Sequence, residues 1–409
     1  MTSQQPHVAV IAHRVGPYHF ARLRATARVM TATAIEVAGV DNTYAWDLVP
    51  GADGFKRVTL FKKADSRTKP AVEVVRLVQL ALDECRPEAV AVPGWGEVFS
   101  LAGLAWCAFN GVPAIMMSES TMWDERRVPW KEWMKRRLLG LCSAALAGGR
   151  PQAEYLEQLG VPRNRIFLGY DVVDNEYFSR KADEVRGQAS EVRKKLGLPK
   201  RFFLASARFI EKKNLPRLLE AYARYRELAS NSELRTPNSE PWHLVLLGDG
   251  ALKFDLCRLI SDLGLQPSVH LPGFKQYDEL PVYYGLASAF IHASTTEQWG
   301  LVVNEAMASG LPVLVSNRCG CAVDLVKDGV NGFTFDPFNV EQLAQLMLRI
   351  SDFRFPIFDF QKASREIISY WGPERFASGL QQAVEAALRM PPRRSSLVDR
   401  LLLRLLLFR

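Results

Sequence analysis

The sequence predicts an α/β chain built from two Rossmann-like domains with parallel sheets. Three observations carry that prediction. Short uncharged apolar runs recur through both halves, lacking the alternation of a half-solvated sheet, as strands covered on both faces do. Segments with helical spacing separate them, and several runs enter the next helix through a Gly-containing turn. At 409 residues the chain has room for two ordinary domains, each with its own core.

Hydrophobic residues make up 48% and charged residues 23%, the balance of a folded globular protein. The formal net charge of +8 favours anionic partners: phosphates, anionic lipid or nucleic acid. No recognised RNA- or DNA-binding signature accompanies that charge, so nucleic acid is set aside. Cys85, Cys107, Cys142, Cys257, Cys319 and Cys321 form no CxxC pair, and no His lies at ligand spacing. That pattern reads as reduced thiols in a cytosolic protein with no metal site. The N-terminus lacks a basic stretch followed by a long apolar one, so no signal peptide is expected. Val98 to Ser118 carries no charge, but Asn110-Gly111-Val112-Pro113 breaks it into a buried helix and a strand, Ala114 to Met117.

In chain order, His7 to Ala12 is the first strand and Phe20 to Thr31 the first helix, joined by His13-Arg14-Val15-Gly16-Pro17-Tyr18-His19. A Gly in that turn allows close approach of a ligand phosphate, though plain turn chemistry explains it equally. Ile35 to Val40, Ala89 to Val92, Ala114 to Met117 and Ala144 to Ala147 read as further strands, with Ala71 to Cys85 among the helices. Residues 1–182 form the first domain. Residues 183–199, charged and ending in Gly197-Leu198-Pro199, read as a linker.

Phe202 to Ala207 opens the second domain, residues 200–370. Arg208 ends that strand and Lys213 follows five residues later, before a helix from Pro216 to Glu227. An Arg fork and a mobile Lys at a sheet's carboxyl edge are what a pyrophosphate clamp needs. His243 to Leu247 is a strand ending in Gly248-Asp249-Gly250, a weak signal that fits an ordinary turn before a helix, Leu252 to Leu263. Val269 to Phe274 and a helix from Tyr277 to Leu286 follow. The centre of the chain comes next. A strand, Ala287 to His292, leads through Thr295 to Gly300 into a helix, Leu301 to Ser309, closed by Gly310-Leu311-Pro312 before a strand from Val313 to Ser316. Such a strand–turn–helix presents backbone N–H groups and a positive helix end, near Gly300, Leu301 and Val302, to an anion. Glu305, one turn inside, can accept ribose hydroxyls, and Glu297 precedes it by seven intervening residues.

Glu297 to Glu305, with Gly300, Glu305-Ala306-Met307-Ala308 and Gly310-Leu311-Pro312-Val313 in register, resembles the E-x7-E signature of glycosyltransferase family 4. The resemblance covers most of the second domain and more weakly the first. It implies retaining, nucleotide-sugar-dependent transfer in the GT-B fold, two Rossmann-like domains facing each other across a cleft. It assigns Arg208 and Lys213 to the diphosphate, Glu297 to the donor sugar, Glu305 to the ribose, and Gly273 with Phe274 to the base. Gly16 would face the donor from the first domain. Cys321 stands where the family has a Gly and Asp324 where it has a Glu, which leaves the shape of the sugar pocket open. There is no Asp-x-Asp pair, so no metal and no cofactor are expected beyond the donor, a UDP-sugar. Where many members present a His, this chain has Ser118-Glu119-Ser120. Glu119 and His19 are therefore the acceptor-side candidates, each with capping or solvation as the plainer alternative. A GT-B sugar-nucleotide epimerase and a non-catalytic nucleotide- or glycan-binding scaffold remain the competing expectations.

The helix Pro373 to Ala387, within residues 371–390, is expected to cross back to the first domain, as GT-B chains do. Residues 391–409 form a basic tail with five arginines and nine apolar residues after Pro392. Leu401 to Phe408 suits a membrane interface, and a plain packing helix suits it as well. A second basic segment, Arg126 to Arg137, has six Lys or Arg against Glu132 alone, with Trp130, Met134, Leu138 and Leu141 on one helical face. Trp beside Lys and Arg marks a membrane–water boundary, whereas a solvated helix with an ordinary core stripe is the alternative. Together these features predict a cytoplasmic enzyme, peripheral on the inner face of the cell membrane, taking a glycan or a lipid-linked acceptor.

Overall fold

The computed structural model describes residues 5–41, 46–231, 240–352, 354–391, 393 and 395–408. The chain divides into two compact units: Met1–Val173 together with Gly372–Arg409, and Asp174–Trp371. The first contains β1 (His7–Ala12), α1 (Pro17–Thr26), β2 (Thr31–Ala38), β3 (Lys56–Phe61), α2 (Ala71–Cys85), β4 (Ala89–Pro93), α3 (Val98–Asn110), β5 (Ala114–Ser118), α4 (Pro129–Gly140), β6 (Ala144–Ala147), α5 (Arg150–Gln158) and β7 (Ile166–Leu168). The second contains α6 (Asn175–Gly187), α7 (Ala189–Leu196), β8 (Phe202–Ser206), α8 (Leu215–Asn231), β9 (His243–Leu247), α9 (Lys253–Asp262), β10 (Val269–Gly273), α10 (Leu280–Leu286), β11 (Ala289–His292), α11 (Leu301–Ala308), β12 (Val313–Ser316), α12 (Ala322–Leu325), β13 (Gly332–Phe335), α13 (Val340–Ser351) and α14 (Ile357–Ser369). The chain then returns to the first unit with α15 (Pro373–Leu388) and α16 (Leu397–Leu407).

In the first unit seven strands run parallel in the order β3-β2-β1-β4-β5-β6-β7. The uncharged strands fill the centre: Val8, Ala9 and Ile11 of β1 and Val90 and Val92 of β4 are fully buried. Helices cover both faces, as all-parallel sheets require. Uncharged α3 lies in one core with Leu402, Leu403, Leu406 and Leu407 of α16. α15 seals the other face through Phe376, Leu380, Ala383, Val384 and Ala387. The first helix begins at Pro17 rather than Phe20, because proline at its first turn already has a helical φ. Strand β2 starts at Thr31, where β-branched Thr31, Thr33 and Ile35 favour an extended chain. Strand β3 gave no signal in the sequence: it is an edge strand opened by Lys56 and Arg57, and edges tolerate charge.

The second unit repeats the plan with six parallel strands, β10-β9-β8-β11-β12-β13. Residues 183–199, expected as a linker, are instead part of this unit: they finish α6 and form α7. Arg193 donates to the Leu286 carbonyl at the end of α10 at 3.0 Å, and Arg186 to the Ser309 carbonyl at the end of α11. Two of the charges in that stretch, Arg186 and Arg193, are thus guanidinium caps on helix C-termini, while Lys194 and Lys195 stay exposed. Gly285 leaves room for α6, since a Cβ there would stand 2.8 Å from the Ala182 carbonyl.

Candidate active site

In a doubly wound sheet, ligands bind beyond the carboxyl ends of the strands where the strand order reverses. In the second unit that point lies between β8 and β11. The loop after β8 carries Arg208 and Lys213; the loop after β11 carries Glu297 and Gly300. The two are hydrogen-bonded, Thr295 N to Lys212 O at 2.9 Å. Across this junction Lys213 forms an ion pair with Glu297, while Lys212 Nζ lies 3.4 Å from the other carboxylate oxygen. His292 Nε2 and Ser294 Oγ lie 3.6 and 3.5 Å from Glu297 Oε2. Burial works against the Glu297 charge, but the His292 hydrogen bond and Lys213 and Lys212 outweigh it and hold the carboxyl well below its usual range. His292 is itself buried, which lowers its pKa despite Glu297.

Several features fix this junction. Gly300 caps α11 at φ +106, a conformation that needs glycine, and a Cβ there would stand 3.4 Å from His292 and 3.5 Å from Cys321 Sγ. Leu301 and Val302 open α11, whose first N–H groups lack intrahelical acceptors, so its positive end lies beside the Glu297 loop. That loop also pairs with the Cys319 segment: Glu297 N donates to Arg318 O at 3.1 Å, and Gly320 N to Glu297 O at 3.0 Å. Beneath it, buried Trp299 donates to Asn304 Oδ1 at 2.9 Å and packs on Trp371. Buried Asn214, at φ +57, donates to the carbonyls of Ala293 and Pro337, tying the loops after β8, β11 and β13 together.

Arg208 is exposed in the β8 loop, whose backbone rests on Gly248-Asp249-Gly250. Phe209 N donates to Asp249 O at 2.8 Å, and a Cβ on Gly248 would fall 1.8 Å from the Ala207 carbonyl oxygen. The weak Gly-Asp-Gly signal is thus the bed that shapes the arginine loop. Gly273, at φ +83, has nothing within 4 Å of a Cβ position, and Phe274 beside it is exposed at the end of β10.

Glu305 differs from its expected setting. It is fully buried, and Tyr284 Oη donates to its Oε2 at 2.6 Å, so one oxygen is already engaged. Burial first and the neighbouring Glu305 second push the Tyr284 hydroxyl far up, which keeps it a donor. The helical position was legible, but the aromatic lid from α10 was not.

In the first unit, Gly16 caps α1 with extended backbone, and a Cβ there would meet only Trp46 at 4.0 Å. The position is open, and neither its backbone nor its protein neighbours require glycine. Val15 N is held by Glu36, which also receives Arg57 at 2.8 Å. His19 is not the cap of α1. Burial first, then Arg22 and His13, lower its pKa to about 3, so its ring is neutral. Glu119 follows β5 beside buried Asp171. Burial and then Glu119 raise the Asp171 carboxyl well above its ordinary value, against Arg22 at 3.6 Å. Arg22 thus lies beside both His19 and Asp171, and Asp171 in turn beside Glu119. Among the described residues, no group of three His, Cys, Asp or Glu is arranged to hold a metal.

Residues 188–356 match the family model for glycosyl transferases group 1, and that segment holds Arg208, Lys213, Glu297 and Glu305. The chain is 31% identical over 166 residues to alpha-monoglucosyldiacylglycerol synthase of Acholeplasma laidlawii, covering 40% of this chain and 38% of that one. It is 24% identical over 253 residues to alpha-D-kanosaminyltransferase of Streptomyces kanamyceticus, covering 59% and 62%. It therefore spans less than two thirds of the length of either relative. A glycosyltransferase structure from Rickettsia africae ESF-5 superposes with a TM-score of 0.70 at 15% identity, over 94% of this chain and 99% of that one. Anabaena Alr3699/HepE in complex with UDP gives 0.67 at 17% identity, over 93% and 100%. At such identities the structures establish the fold alone. The two Rossmann-like units have the GT-B fold, and residues 188–356 of the second match the model of group 1 glycosyl transferases.

Proposed function

We propose that the chain is a retaining glycosyltransferase of family 4. It moves a sugar from a nucleoside-diphosphate-sugar, a UDP-sugar first among them, to a glycan or lipid-linked acceptor in cell-surface polysaccharide or glycolipid synthesis. The observation that carries this is the junction between β8 and β11, where Lys213, Lys212 and the start of α11 converge on Glu297 with Arg208 on the same loop as the lysines. A diphosphate arriving there displaces Glu297 from Lys213, and the freed carboxylate turns to the sugar. Arg208, Lys213 and the N–H groups near Gly300, Leu301 and Val302 then take up the charge that develops on the departing diphosphate. No metal is needed for that step. Glu305 serves the ribose, and the open ledge at Gly273 and Phe274 takes the base. Gly16 belongs to the donor contacts, and Glu119 and neutral His19 to the acceptor side. The acceptor hydroxyl replaces the diphosphate on the same face of the sugar. The Acholeplasma relative's name, alpha-monoglucosyldiacylglycerol synthase, supports a lipid-linked acceptor; a place at the inner face of the cell membrane is part of the same proposal.

Thermal shifts with UDP, GDP, ADP and dTDP test the site. One diphosphate at about a hundred times its Kd should stabilise the fold by roughly 2.7 kcal/mol. Turnover of the matching nucleotide-sugar with acceptor, read by NMR, should give product of unchanged anomeric configuration, and EDTA should leave the rate intact. An inverted product would remove the chain from family 4. Epimerised donor without acceptor would make it an epimerase, and binding without diphosphate release a scaffold.

A further inference from the structure

Helix α16 has two apolar faces, and only one is used by the fold. Leu402, Leu403, Leu406 and Leu407 are buried in the first unit's core. On the opposite side Leu397 is 83% exposed, Leu401 60%, Leu405 63% and Phe408 55%. At 100° per residue these four fall within an arc of roughly 80°, a continuous stripe along the helix. Arg400 and Arg404, also exposed, border it. The acid of the helix, Asp399, is turned inward: it closes a capping box with Ser396 and pairs with Arg137 of α4 at 2.7 Å.

That pair joins α16 to the second basic segment. Within it Arg127 and Lys135 are not surface charges at all. Lys135 is buried against Glu125, Glu132 and Tyr155, and Arg127 pairs with Asp124 and Tyr155. Leu138 and Leu141 are core residues. What remains outward is Trp130, Trp133 and Arg136 of α4, with exposed Arg126 just ahead of the helix. Arg137 lies on the same side as the tryptophans at helical spacing and reaches the start of α16, where it also donates to Ser396 Oγ at 2.8 Å.

We propose that the outer stripe of α16 and the Trp130–Trp133 face of α4 form one docking surface for an anionic lipid bilayer. Charge complementarity selects that occupant. The exposed apolar stripe has arginines and no carboxylate along it, and tryptophans flank it, the composition that settles at a headgroup boundary. The α16 leucines cannot turn inward, because the helix's other face already fills the core. At most 11 residues long, α16 lies along a bilayer and does not cross it. The inference gives the lipid-linked acceptor of the proposed function a surface on which to meet the enzyme, but the binding it predicts needs no sugar donor.

Co-sedimentation of the full chain with vesicles tests it, without nucleotide-sugar present. The protein should pellet with phosphatidylglycerol-containing vesicles, less so as salt rises, and weakly with pure phosphatidylcholine. A Leu401→Asp/Leu405→Asp variant should lose most of that binding while keeping its melting temperature and its diphosphate-induced stabilisation. Arg400→Glu/Arg404→Glu, confined to exposed side chains, should weaken binding about 10-fold or more even if the leucine variant does not fold. Trp130→Ala/Trp133→Ala should weaken it as well. A wild-type protein left in the supernatant with anionic vesicles would overturn the assignment, as would unchanged binding by both the leucine and arginine variants. A dimer that the arginine or leucine variant converts to monomer would give the face to a second copy instead. Failure of diphosphate binding with vesicle binding intact would sink the transferase reading alone.

Discussion

Replacing Lys213 by Met removes the closest partner of a carboxylate that is only 12% exposed. Breaking a buried pair from one side typically costs about 3–5 kcal/mol. Here Lys212 stays 3.4 Å away and His292 Nε2 3.6 Å, so the expected loss sits at the low end, about 3 kcal/mol. Glu297→Gln keeps the shape but leaves two lysines facing each other with no anion, and should lose about 2 kcal/mol. In the double variant the neutral amide no longer misses Lys213. The two losses should therefore fall short of additivity by at least about 1.5 kcal/mol. Urea unfolding of the ligand-free protein at neutral pH, with the second unit's transition taken separately, measures all corners of the cycle. Additivity within about 0.5 kcal/mol would refute the coupled pair. UDP should restore much of the stability lost in Glu297→Gln, because its phosphates supply the missing anion, and little of that lost in Lys213→Met.

Gly248→Ala should destabilise by about 3 kcal/mol or more and weaken diphosphate binding, since its Cβ enters the Ala207 carbonyl at a φ of +134. Gly16→Ala should stay within about 0.5 kcal/mol of wild type by the same melting assay, because space and backbone both admit a methyl group. Tyr284→Phe should cost about 1–3 kcal/mol by removing the donor to buried Glu305 Oε2, and should alter nucleotide affinity in titration calorimetry. Acid should destabilise the fold early. His19, lowered to about 3, and His292 are neutral when folded but take up protons when unfolded below about 6.5. Stability is thus retained above that value and declines as pH falls, by at most about 1.4 kcal/mol per pH unit for each group, in His19's case down to about 3. His19→Gln should flatten that decline in a melting-temperature profile.

Strands β6, β9 and β12 lie on the residues the sequence predicted, because each is an unbroken apolar run between turn residues. Strands β3, β7 and β13 escaped it, being edge strands where charge, brevity or a leading Gly dilutes the signal. In the site, loop residues at known strand ends were legible: once the sheet order is guessed, Arg208, Lys213 and Glu297 must lie at one edge. Their supports were not. His292 read as one more strand residue, and nothing along the chain reveals that Tyr284 covers Glu305. Asn214 did carry a clue, since asparagine tolerates the left-handed conformation it adopts before α8. The tail divided more subtly: one face of α16 serves the core along the helix, and the pattern alone does not say which of its two apolar faces turns inward.

The return of the chain to its first unit has a consequence for synthesis. Phe376, Leu380, Ala383, Val384 and Ala387 of α15 complete a core begun by Val8 and Val10. No nascent chain can close that core until α15 has emerged, and by then every residue of the second unit has been made. The second unit, by contrast, is one continuous stretch whose two ends already meet, with Asn175 Nδ2 donating to the Ile368 carbonyl at 2.7 Å. Vectorial folding, which usually proceeds from the N-terminus, is therefore inverted here. The domain translated last is able to mature first, while the earlier one waits with an apolar sheet face uncovered, a natural client for a ribosome-associated chaperone.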